Sequence, residues 1–385
     1  MIAYSPHQFA LVRLLLGGYL FFLLLALLPY STELFSSTGF FSSSFQPFVF
    51  SPYLDPLLQL AAEPLVIFII HCSLIGLSLL FFLGVWRRLV ALGLWLGWLL
   101  LANLNPFSID PSLAFTGLLL LIYVVAPAGE PWRWRRAAKP NWHLPPLLFW
   151  GAWLIFTLSF TISGYEKFQS ELWREGMAVY YFHSGVISID TIISRIFNSI
   201  PVLFGMTLTW IILYSQLFAL FAVVTEWTRI TFWFCTFSLF VGSLFVLDLF
   251  AVIVAMLIFY IFVFDSRWFS RSADATVYID VECPACSYFA KFLKTENRNG
   301  TLVVSHFADS TLANYLTPVE IKRMKEMIYV ENGSVYRGAD AIIMSVSGLG
   351  GVWSTILVLK LIPKSLRDYG YRLLSTYRKQ LLFIH

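Results

Sequence analysis

Long apolar runs separated by short polar stretches occupy the chain up to about residue 265. A membrane-spanning helix needs about 17–25 mainly apolar residues. By that requirement the pattern predicts a polytopic α-helical membrane bundle of about eight spans. The last two predicted spans are separated only by the residues around Leu247 and Asp248, so one long buried helical stretch or a re-entrant pair is an alternative there. The predicted spans are 9–30, 64–84, 88–104, 112–128, 144–163, 203–225, 230–246 and 249–265.

Beyond Asp265 the pattern changes, because charged residues become frequent and short strand-like runs alternate with helical ones. Two strand-like runs face each other across Glu331-Asn332-Gly333, which is typical of a hairpin turn. The sequence therefore predicts a membrane domain over 1–270 and a small α/β, thioredoxin-like domain over 271–385. The predicted strands are 276–280, 301–307, 327–330 and 334–337, and the predicted helices are 318–326, 339–346, 353–361 and 366–382.

Composition supports a membrane protein. Hydrophobic residues make up 58% of the 385 residues and charged residues only 12%, which lies far from the average of soluble domains. The net charge of +4 gives no reason to expect a nucleic-acid partner, because most cations flank the apolar runs or lie in the last third of the chain.

The distribution of lysine and arginine predicts the orientation, since cytoplasmic connections collect positive charge. With a cytoplasmic N-terminus, the outer connections contain almost no cations except in 164–202. An even number of spans then places the C-terminus in the cytoplasm as well, and in a bacterium the membrane would be the inner one. No removable signal peptide is expected at the N-terminus. The cations assigned to inner connections are Arg87, Arg88, Arg133, Arg135, Arg136, Lys139, Arg229, Arg267 and Arg271.

Cys283-Pro284-Ala285-Cys286 is the clearest chemical motif, and it lies between a predicted strand and a predicted helix. The N-terminus of a helix carries unpaired N–H groups and partial positive charge, which stabilise a thiolate on Cys283 and lower its pKa. Cys283 is therefore predicted to attack, and Cys286, one turn further on, to resolve the mixed disulfide. Pro284 suits the first helical position. Asp280 either relays protons or merely ends the strand.

Two other interpretations of these cysteines stay open. A zinc site normally needs a second Cys/His pair, and the only nearby imidazole is His306, so no metal is predicted. The cysteines could also be two buried, inert residues. A cytoplasmic location disfavours a permanent disulfide, so the pair is expected to cycle or to stay reduced.

The segment Asp280-Val281-Glu282-Cys283-Pro284-Ala285-Cys286 resembles the D-x-x-C-x-x-C signature of DCC-type thiol-disulfide oxidoreductase domains. Val335-Tyr336-Arg337-Gly338-Ala339-Asp340-Ala341 is similar to the second recurrent block of that family. The resemblance implies thiol-disulfide exchange. The sequence departs at Val281-Glu282, where such proteins usually carry Gly-Asp, and the added carboxylate tends to raise a neighbouring thiol pKa.

Ionisable residues within spans are costly, so they are functional candidates. His71, Asn105, Asp110 and Lys167 all fall in or near the outer half of the predicted bundle, together with Asn103. We expect them to share one cavity.

Four groups of residues within 8–265 carry a second resemblance. They are Val12-Arg13, Gly84-Val85-Trp86-Arg87-Arg88, Asn103-Leu104-Asn105-Pro106 with Asp110, and Ser163-Gly164-Tyr165-Glu166-Lys167-Phe168 with Trp173 and Gly176. This region resembles the horizontally transferred transmembrane family, whose best-known relatives are the vitamin K-dependent gamma-carboxylases. The resemblance implies that Lys167 is a base that deprotonates a hydroquinone, and hence a quinone or vitamin K-like cofactor. A lysine that reaches the interface and pairs with Glu166 or Glu171 is the structural alternative.

These observations lead to one main hypothesis and two alternatives. The main one is a membrane-bound thiol-disulfide oxidoreductase of the protein-disulfide reductase type, whose membrane half binds a quinone-like or lipidic partner near Lys167. Its expected partners are the bilayer and a thiol or disulfide in a protein or small molecule. The first alternative is an enzyme that modifies a peptide or lipid at the outer face with Lys167 as base, and the second is a non-catalytic transporter or scaffold.

Overall fold

The structure is a computed structural model, and its two compact units, Met1–Val263 and Phe264–His385, are described separately. The residues that it describes are 4–39, 55–105, 112–134, 138–139, 142–185, 187–199, 201–265, 267–268, 275–280, 283–297, 300, 302–317 and 326–377.

The first unit is built of α-helices. Within its described residues, two short 3-10 stretches, 28–30 and 219–223, interrupt the series. In chain order the helices are α1 Pro6–Leu27, α2 Ser31–Phe35, α3 Asp55–Ala61, α4 Pro64–Leu83, α5 Arg87–Leu104, α6 Ser112–Val125, α7 Pro146–Gln169, α8 Glu171–Arg174, α9 Ala178–Ser184, α10 Ile192–Asn198, α11 Val202–Leu217, α12 Glu226–Ser243 and α13 Phe250–Val263.

Four helical segments among the described residues are long and apolar enough to cross a membrane: Pro6–Phe35, Pro64–Leu83, Arg87–Leu104 and Pro146–Gln169. The predicted number of eight spans is therefore not supported. Helices α6 and α13 have 14 residues each, about 21 Å of helix, whereas the hydrocarbon core is about 30 Å thick. Helix α12 is longer, but it begins with Glu226 and carries Arg229 one turn later.

Aromatic side chains fill the space between α7, α12 and α13. The indole of Trp153 donates to the carbonyl of Val263 over 2.8 Å, and the indole of Trp233 donates to the carbonyl of Tyr260 over 3.0 Å. Phe156 packs edge-on against Tyr260 at 5.1 Å between ring centroids. Because the polar indole atoms bind backbone carbonyls, these large rings are buried with their N–H groups paired.

In the turn between α4 and α5, the backbone of Gly84 lies very close to the side chain of Arg13. Gly84 ends α4 in the left-handed conformation, with φ +72°. A Cβ atom at this position would overlap Nη1 of Arg13. Arg13 is fully buried, and its Nη2 donates to the carbonyl of Trp132 over 2.5 Å. The glycine is therefore required both by the turn and by the arginine beneath it.

The second unit contains a four-stranded mixed sheet in the order β2-β1-β3-β4. Strand β1 (Ala275–Ile279) runs parallel to β2 (Leu302–His306) and antiparallel to β3 (Ile328–Glu331). Strand β3 forms a hairpin with β4 (Ser334–Arg337). Asn332 and Gly333 turn it with positive φ at both positions, as the favoured two-residue turn requires. The predicted strands are confirmed to within one residue at each end.

The described part of this unit also contains three α-helices, α14 (Pro284–Glu296), α15 (Gly338–Gly348) and α16 (Lys364–Tyr377), and a short 3-10 helix, Ser310–Asn314. Residues 353–361, predicted as a helix, lie in a further 3-10 helix, Gly351–Leu361. Residues 318–325 of another predicted helix, and 378–382 of the last one, lie outside the described residues. The core on one side of the sheet contains Tyr278, Leu312, Leu316, Ile328 and Val330.

Candidate functional site

The two cysteines of the C-x-x-C motif lie at the beginning of α14, directly after β1. Cys283 is the N-cap residue with an extended backbone, and Pro284 is the first helical residue. The N–H of Ser287 donates to the carbonyl of Cys283 over 2.9 Å, which closes the first turn around Cys286. The two cysteines are not joined by a disulfide in this structure. The chain thus places the motif where the strand–motif–helix pattern predicts it.

Accessibility differs between the two thiols. Cys283 is 6% exposed, whereas Cys286 is only half-buried. Because Cys283 is the N-cap residue, it lies next to the partial positive charge of the helix N-terminus. Cys286 is easier to reach from solvent. Electrostatics thus favours Cys283 as the first thiol to react, whereas access favours Cys286.

The carboxyl ends of the two parallel strands bring further polar groups to the same edge of the sheet. Ile279 is in register with His306, so Asp280, which follows β1, and His306, which ends β2, both lie at the carboxyl ends of the two parallel strands. Nδ1 of His306 accepts a hydrogen bond from the N–H of Ala308 over 2.9 Å, so in a neutral ring the proton resides on Nε2. From the sequence, His306 was considered only as a zinc ligand. Among the described residues, no group of three or more potential metal ligands is found.

The second sequence block folds at this same edge. Strand β4 ends at Arg337, opposite Ile328 at the start of β3, and Ile328 also pairs with Tyr278 near the end of β1. Gly338 then begins α15 with φ +57° and donates its N–H to the carbonyl of Met327 over 3.0 Å. The two blocks are separated by about 50 residues of sequence, and both lie at the edge of the sheet where β1 and β2 end. Ligand sites of open α/β sheets usually lie at this edge.

Ion pairing ties the start of α15 to the last helix. Asp340, in the first turn of α15, pairs with Arg367 of α16. The hydroxyl of Tyr371, one turn later in α16, accepts a hydrogen bond from the N–H of Met327 over 3.1 Å. The edge that carries the cysteines is thus held in place by β3, α15 and α16 together.

Comparison with known proteins supports a thiol-disulfide site in the second unit at the level of the family. Residues 277–383 match the DCC1-like thiol-disulfide oxidoreductase family, so the second unit is similar to a family of oxidoreductase enzymes. The matched range includes both sequence blocks. No curated protein matches the chain, and no solved structure does. The comparisons do not show a relationship of the first unit to the horizontally transferred transmembrane family.

The first unit contains a cavity of about 870 Å³, within the size range of small-molecule sites. Lys167, near the end of α7, lines it together with Glu166. Nζ of Lys167 donates to Oγ of Ser163 over 2.5 Å and lies 5.3 Å from the ring centroid of Trp173. The remaining wall is mostly apolar and comes from α6, α7, α9, α10, α11, α12 and α13. A few polar groups therefore face an otherwise apolar space.

His183 is a cavity residue that sequence analysis missed. It lies in α9 and lines the cavity, as does Gln216 of α11. Burial lowers the pKa of His183, so its imidazole is neutral at pH 7. The only hint in the sequence is that His183 follows Lys167 in the same connection, 164–202, and nothing in its local pattern shows which way it faces.

Of the other predicted membrane-site residues, those that the structure describes do not line this cavity. His71 is fully buried, with Nε2 2.8 Å from the carbonyl of Leu24. Asn105 donates its Nδ2 to the carbonyl of Leu34 over 3.1 Å. Both side chains therefore link α4 and α5 to the segment of α1 and α2. Asn103 bonds within its own helix, to the carbonyl of Leu99. Asp110 lies outside the described residues.

Proposed function

We propose that the second unit catalyses thiol-disulfide exchange through Cys283 and Cys286. The observation that carries the proposal is the position of Cys283 as N-cap of α14, directly after a central strand, with Cys286 one turn away. The sheet order β2-β1-β3-β4 with a helix crossing between the parallel strands supports a thioredoxin-like fold. The family match over 277–383 supports the class of reaction.

Reduction of a partner disulfide would proceed in two displacements. The Cys283 thiolate attacks one sulfur of the partner disulfide, that S–S bond breaks, and the other partner sulfur leaves as a thiolate that takes up a proton. Cys286 then loses its proton and attacks Sγ of Cys283, which releases the second partner thiol. Two electrons pass from the Cys283/Cys286 dithiol to the partner. Asp280 and His306, at the same edge of the sheet, are the candidate proton carriers.

Trapping of the mixed disulfide tests this proposal and the order of attack. In a Cys72→Ser/Cys235→Ser background, Cys286→Ser should accumulate a covalent adduct with a model disulfide, and Cys283→Ser should not. Intact-mass spectrometry counts the adducts, and reductant must release them. The opposite pattern would reverse the roles of the two cysteines. Turnover by the background protein that persists in both variants would overturn the proposal.

Contacts within the first unit support the proposed membrane orientation. The hydroxyl of Tyr123, near the end of α6, donates to the carbonyl of Phe9 near the start of α1. The hydroxyl of Tyr4 donates to the carbonyl of Phe262 at the end of α13. The guanidinium of Arg229, in the first turn of α12, lies 4.8 Å from the ring of Trp150 in the first turn of α7. Each of these contacts joins helix ends that are next to predicted inner connections, which supports a common face for those connections.

The bond between Tyr4 and the carbonyl of Phe262 supports a common face for the residues before α1 and the end of α13, and Arg229 supports a cationic character of that face. Under the positive-inside rule we assign this face to the cytoplasm, and with it the second unit. Accessibility labelling of single cysteines in membrane vesicles tests the assignment. Label reaching Cys283 from the extracytoplasmic side would contradict it.

A second candidate function belongs to the cavity around Lys167, near the opposite end of α7. Its volume, apolar wall and the presence of Lys167, His183 and Gln216 favour an elongated apolar ligand with a polar head, such as a quinone-like or lipidic molecule. This function is tested by the binding of a short-chain benzoquinone to the reconstituted protein, which is measured through the quenching of tryptophan fluorescence. Lys167→Ala should weaken binding, while Lys139→Ala, a cation outside the cavity, should not.

The alternatives predict different patterns of loss. An outer-face peptide- or lipid-modifying enzyme with Lys167 as base loses activity in Lys167→Ala and keeps it in Cys283→Ser. A transporter or scaffold keeps its function in Cys283→Ser and in Cys286→Ser. Coupled thiol and quinone chemistry requires both sites, so both substitutions would abolish it.

A further inference from the structure

Helix α16 (Lys364–Tyr377) presents an apolar stripe to the outside. Ile362, just before the helix, Leu366, Tyr369 and Leu373 are spaced by four, three and four residues, so they share one helical face. Their side chains are 40%, 60%, 60% and 44% exposed, respectively. A helix that only covers its own domain would bury such a stripe.

The opposite face of the helix is polar and attached to the domain. Arg367 pairs with Asp340 of α15, and the hydroxyl of Tyr371 binds the N–H of Met327 before β3. These two contacts, one turn apart, fix the rotation of the helix about its axis. The apolar face is therefore turned outward by polar anchoring and not by chance.

Further apolar and basic side chains extend the surface. The 3-10 stretch before α16 contributes Val358 and Leu361, which are 64% and 84% exposed. Lys360, Lys364 and Arg372 lie on or beside the same segment, and Lys364 and Arg372 are exposed. Over 357–377 there are four cations and one acidic residue, Asp368. Arg367 pairs with Asp340, and Nζ of Lys360 lies 5.4 Å from the ring centroid of Tyr336. The outward surface is thus apolar in its middle, with the exposed cations Lys364 and Arg372 at its margins.

We infer that this surface, formed by 357–373, lies on the membrane, with the apolar stripe among the lipid headgroups and the cations next to anionic phosphates. A basic amphipathic helix binds lipid interfaces in this way. The same chain carries helices long and apolar enough to span a bilayer, so the bilayer is always at high local concentration. A second copy of the chain is a poorer occupant, because its cationic margins would repel these. The inference does not depend on thiol chemistry.

Hydrogen exchange of the full-length protein tests the inference. Peptides from 364–377 are compared by mass spectrometry in detergent, in phosphatidylcholine nanodiscs and in nanodiscs that also contain phosphatidylglycerol. We expect exchange to be slowed about tenfold or more in the anionic nanodiscs relative to detergent. Leu366→Gln/Leu373→Gln should remove this protection, whereas Ser365→Gln, an exposed polar position on the same helix, should keep it.

Peptides from 326–337 report on folding. Their hydrogen exchange must be equal in all variants, because the substituted side chains lie at the surface. Protection that is already complete in detergent would mean that another part of the chain covers the stripe. Protection that grows with protein concentration in detergent would mean that a second copy does. Either result, or no protection in anionic nanodiscs, overturns the inference.

Discussion

Nε of Arg87 lies 3.1 Å from Oε1 of Glu130, and both side chains are almost completely buried. The same guanidinium donates from Nη1 to the carbonyl of Tyr123 over 2.5 Å and from Nη2 to the carbonyls of Ala126 and Pro127. Arg87 therefore joins the start of α5 to the end of α6 and satisfies carbonyls that the helix end leaves unpaired. Glu130 balances its charge.

Glu130→Gln should destabilise the protein strongly, because it leaves the guanidinium of Arg87 buried without a counter-charge. Breaking a buried ion pair from one side costs about 3–5 kcal/mol. Thermal unfolding in detergent measures the loss, with Glu63→Gln, an exposed glutamate before α4, as the control. Equal melting temperatures for the two variants would show that the pair contributes little.

Gly84→Ala should also destabilise the first unit. The left-handed backbone costs a non-glycine residue about 1–2 kcal/mol, and the new methyl group must in addition displace Arg13. Gly76→Ala is the matched control, since it adds the same methyl group in α4 with no atom within 4 Å. The melting temperature should fall only for Gly84→Ala, and a similar change in both variants would contradict the proposed contact.

Ser163→Ala should free the ammonium group of Lys167 from its hydrogen-bond acceptor. Hydrogen bonds to charged groups contribute about 1.5–3 kcal/mol, so modification of Lys167 by an amine-specific reagent should accelerate about tenfold or more. Peptide mass spectrometry gives the rate. Ser159→Ala, one turn earlier on the cavity wall, should leave it unchanged, and acceleration in both variants would point to general loosening of the cavity.

Asp340→Asn should weaken the attachment of α16. Loss of the charge-assisted bond to Arg367 costs about 1.5–3 kcal/mol, which should raise amide exchange in 364–377 by about tenfold or more in detergent. The neighbouring Asp368→Asn removes the same charge without touching this pair. If both substitutions raise exchange equally, net charge and not the specific contact holds the helix.

Asp309 should make the short 3-10 turn that follows it sensitive to acid. Hydrogen bonds from the backbone N–H and hydroxyl of Thr311 hold the pKa of Asp309 below its ordinary value. Because the folded-state pKa is depressed, the stabilisation is fully present above the unfolded value of about 3.9 and is lost as pH falls through the folded-state pKa. Exchange of 310–314, normalised for intrinsic rates, should show this loss in the wild type and not in Asp309→Asn, which keeps the capping oxygen. An identical acid response in both proteins would exclude this carboxylate as the cause.

Features fixed by neighbouring residues could be predicted from the sequence. The Asn332-Gly333 turn sets the register of its hairpin, and Pro284 marks the first residue of α14 because its missing N–H is not needed there. The boundaries of α4 and α5 follow from Gly84 and from the apolar runs on either side. In each case a local backbone requirement decides the structure.

Features fixed by packing could not be predicted in this way. Hydropathy does not separate a membrane-spanning helix from a short buried one. The pattern over 249–265 therefore predicts a span or part of a buried stretch, and the structure has the 14-residue α13 there, with Met256, Phe259 and Tyr260 buried in the unit. Depth along a helix can be estimated from its rise, but the direction in which a side chain points depends on neighbouring helices. For this reason the sequence did not predict that the side chain of His71 contacts α1 and not the cavity, or that His183 lines the cavity.

The buried position of Arg13 constrains the order in which the chain matures. Its carbonyl partner, Trp132, is 119 residues further along the chain. At a synthesis rate of about 5–20 residues per second, the partner emerges about 6–24 seconds after the arginine. During that interval the guanidinium must be hydrated or held by lipid phosphates or the insertion machinery. We therefore expect α1, although it is made first, to reach its final position only after the chain has been synthesised as far as Trp132.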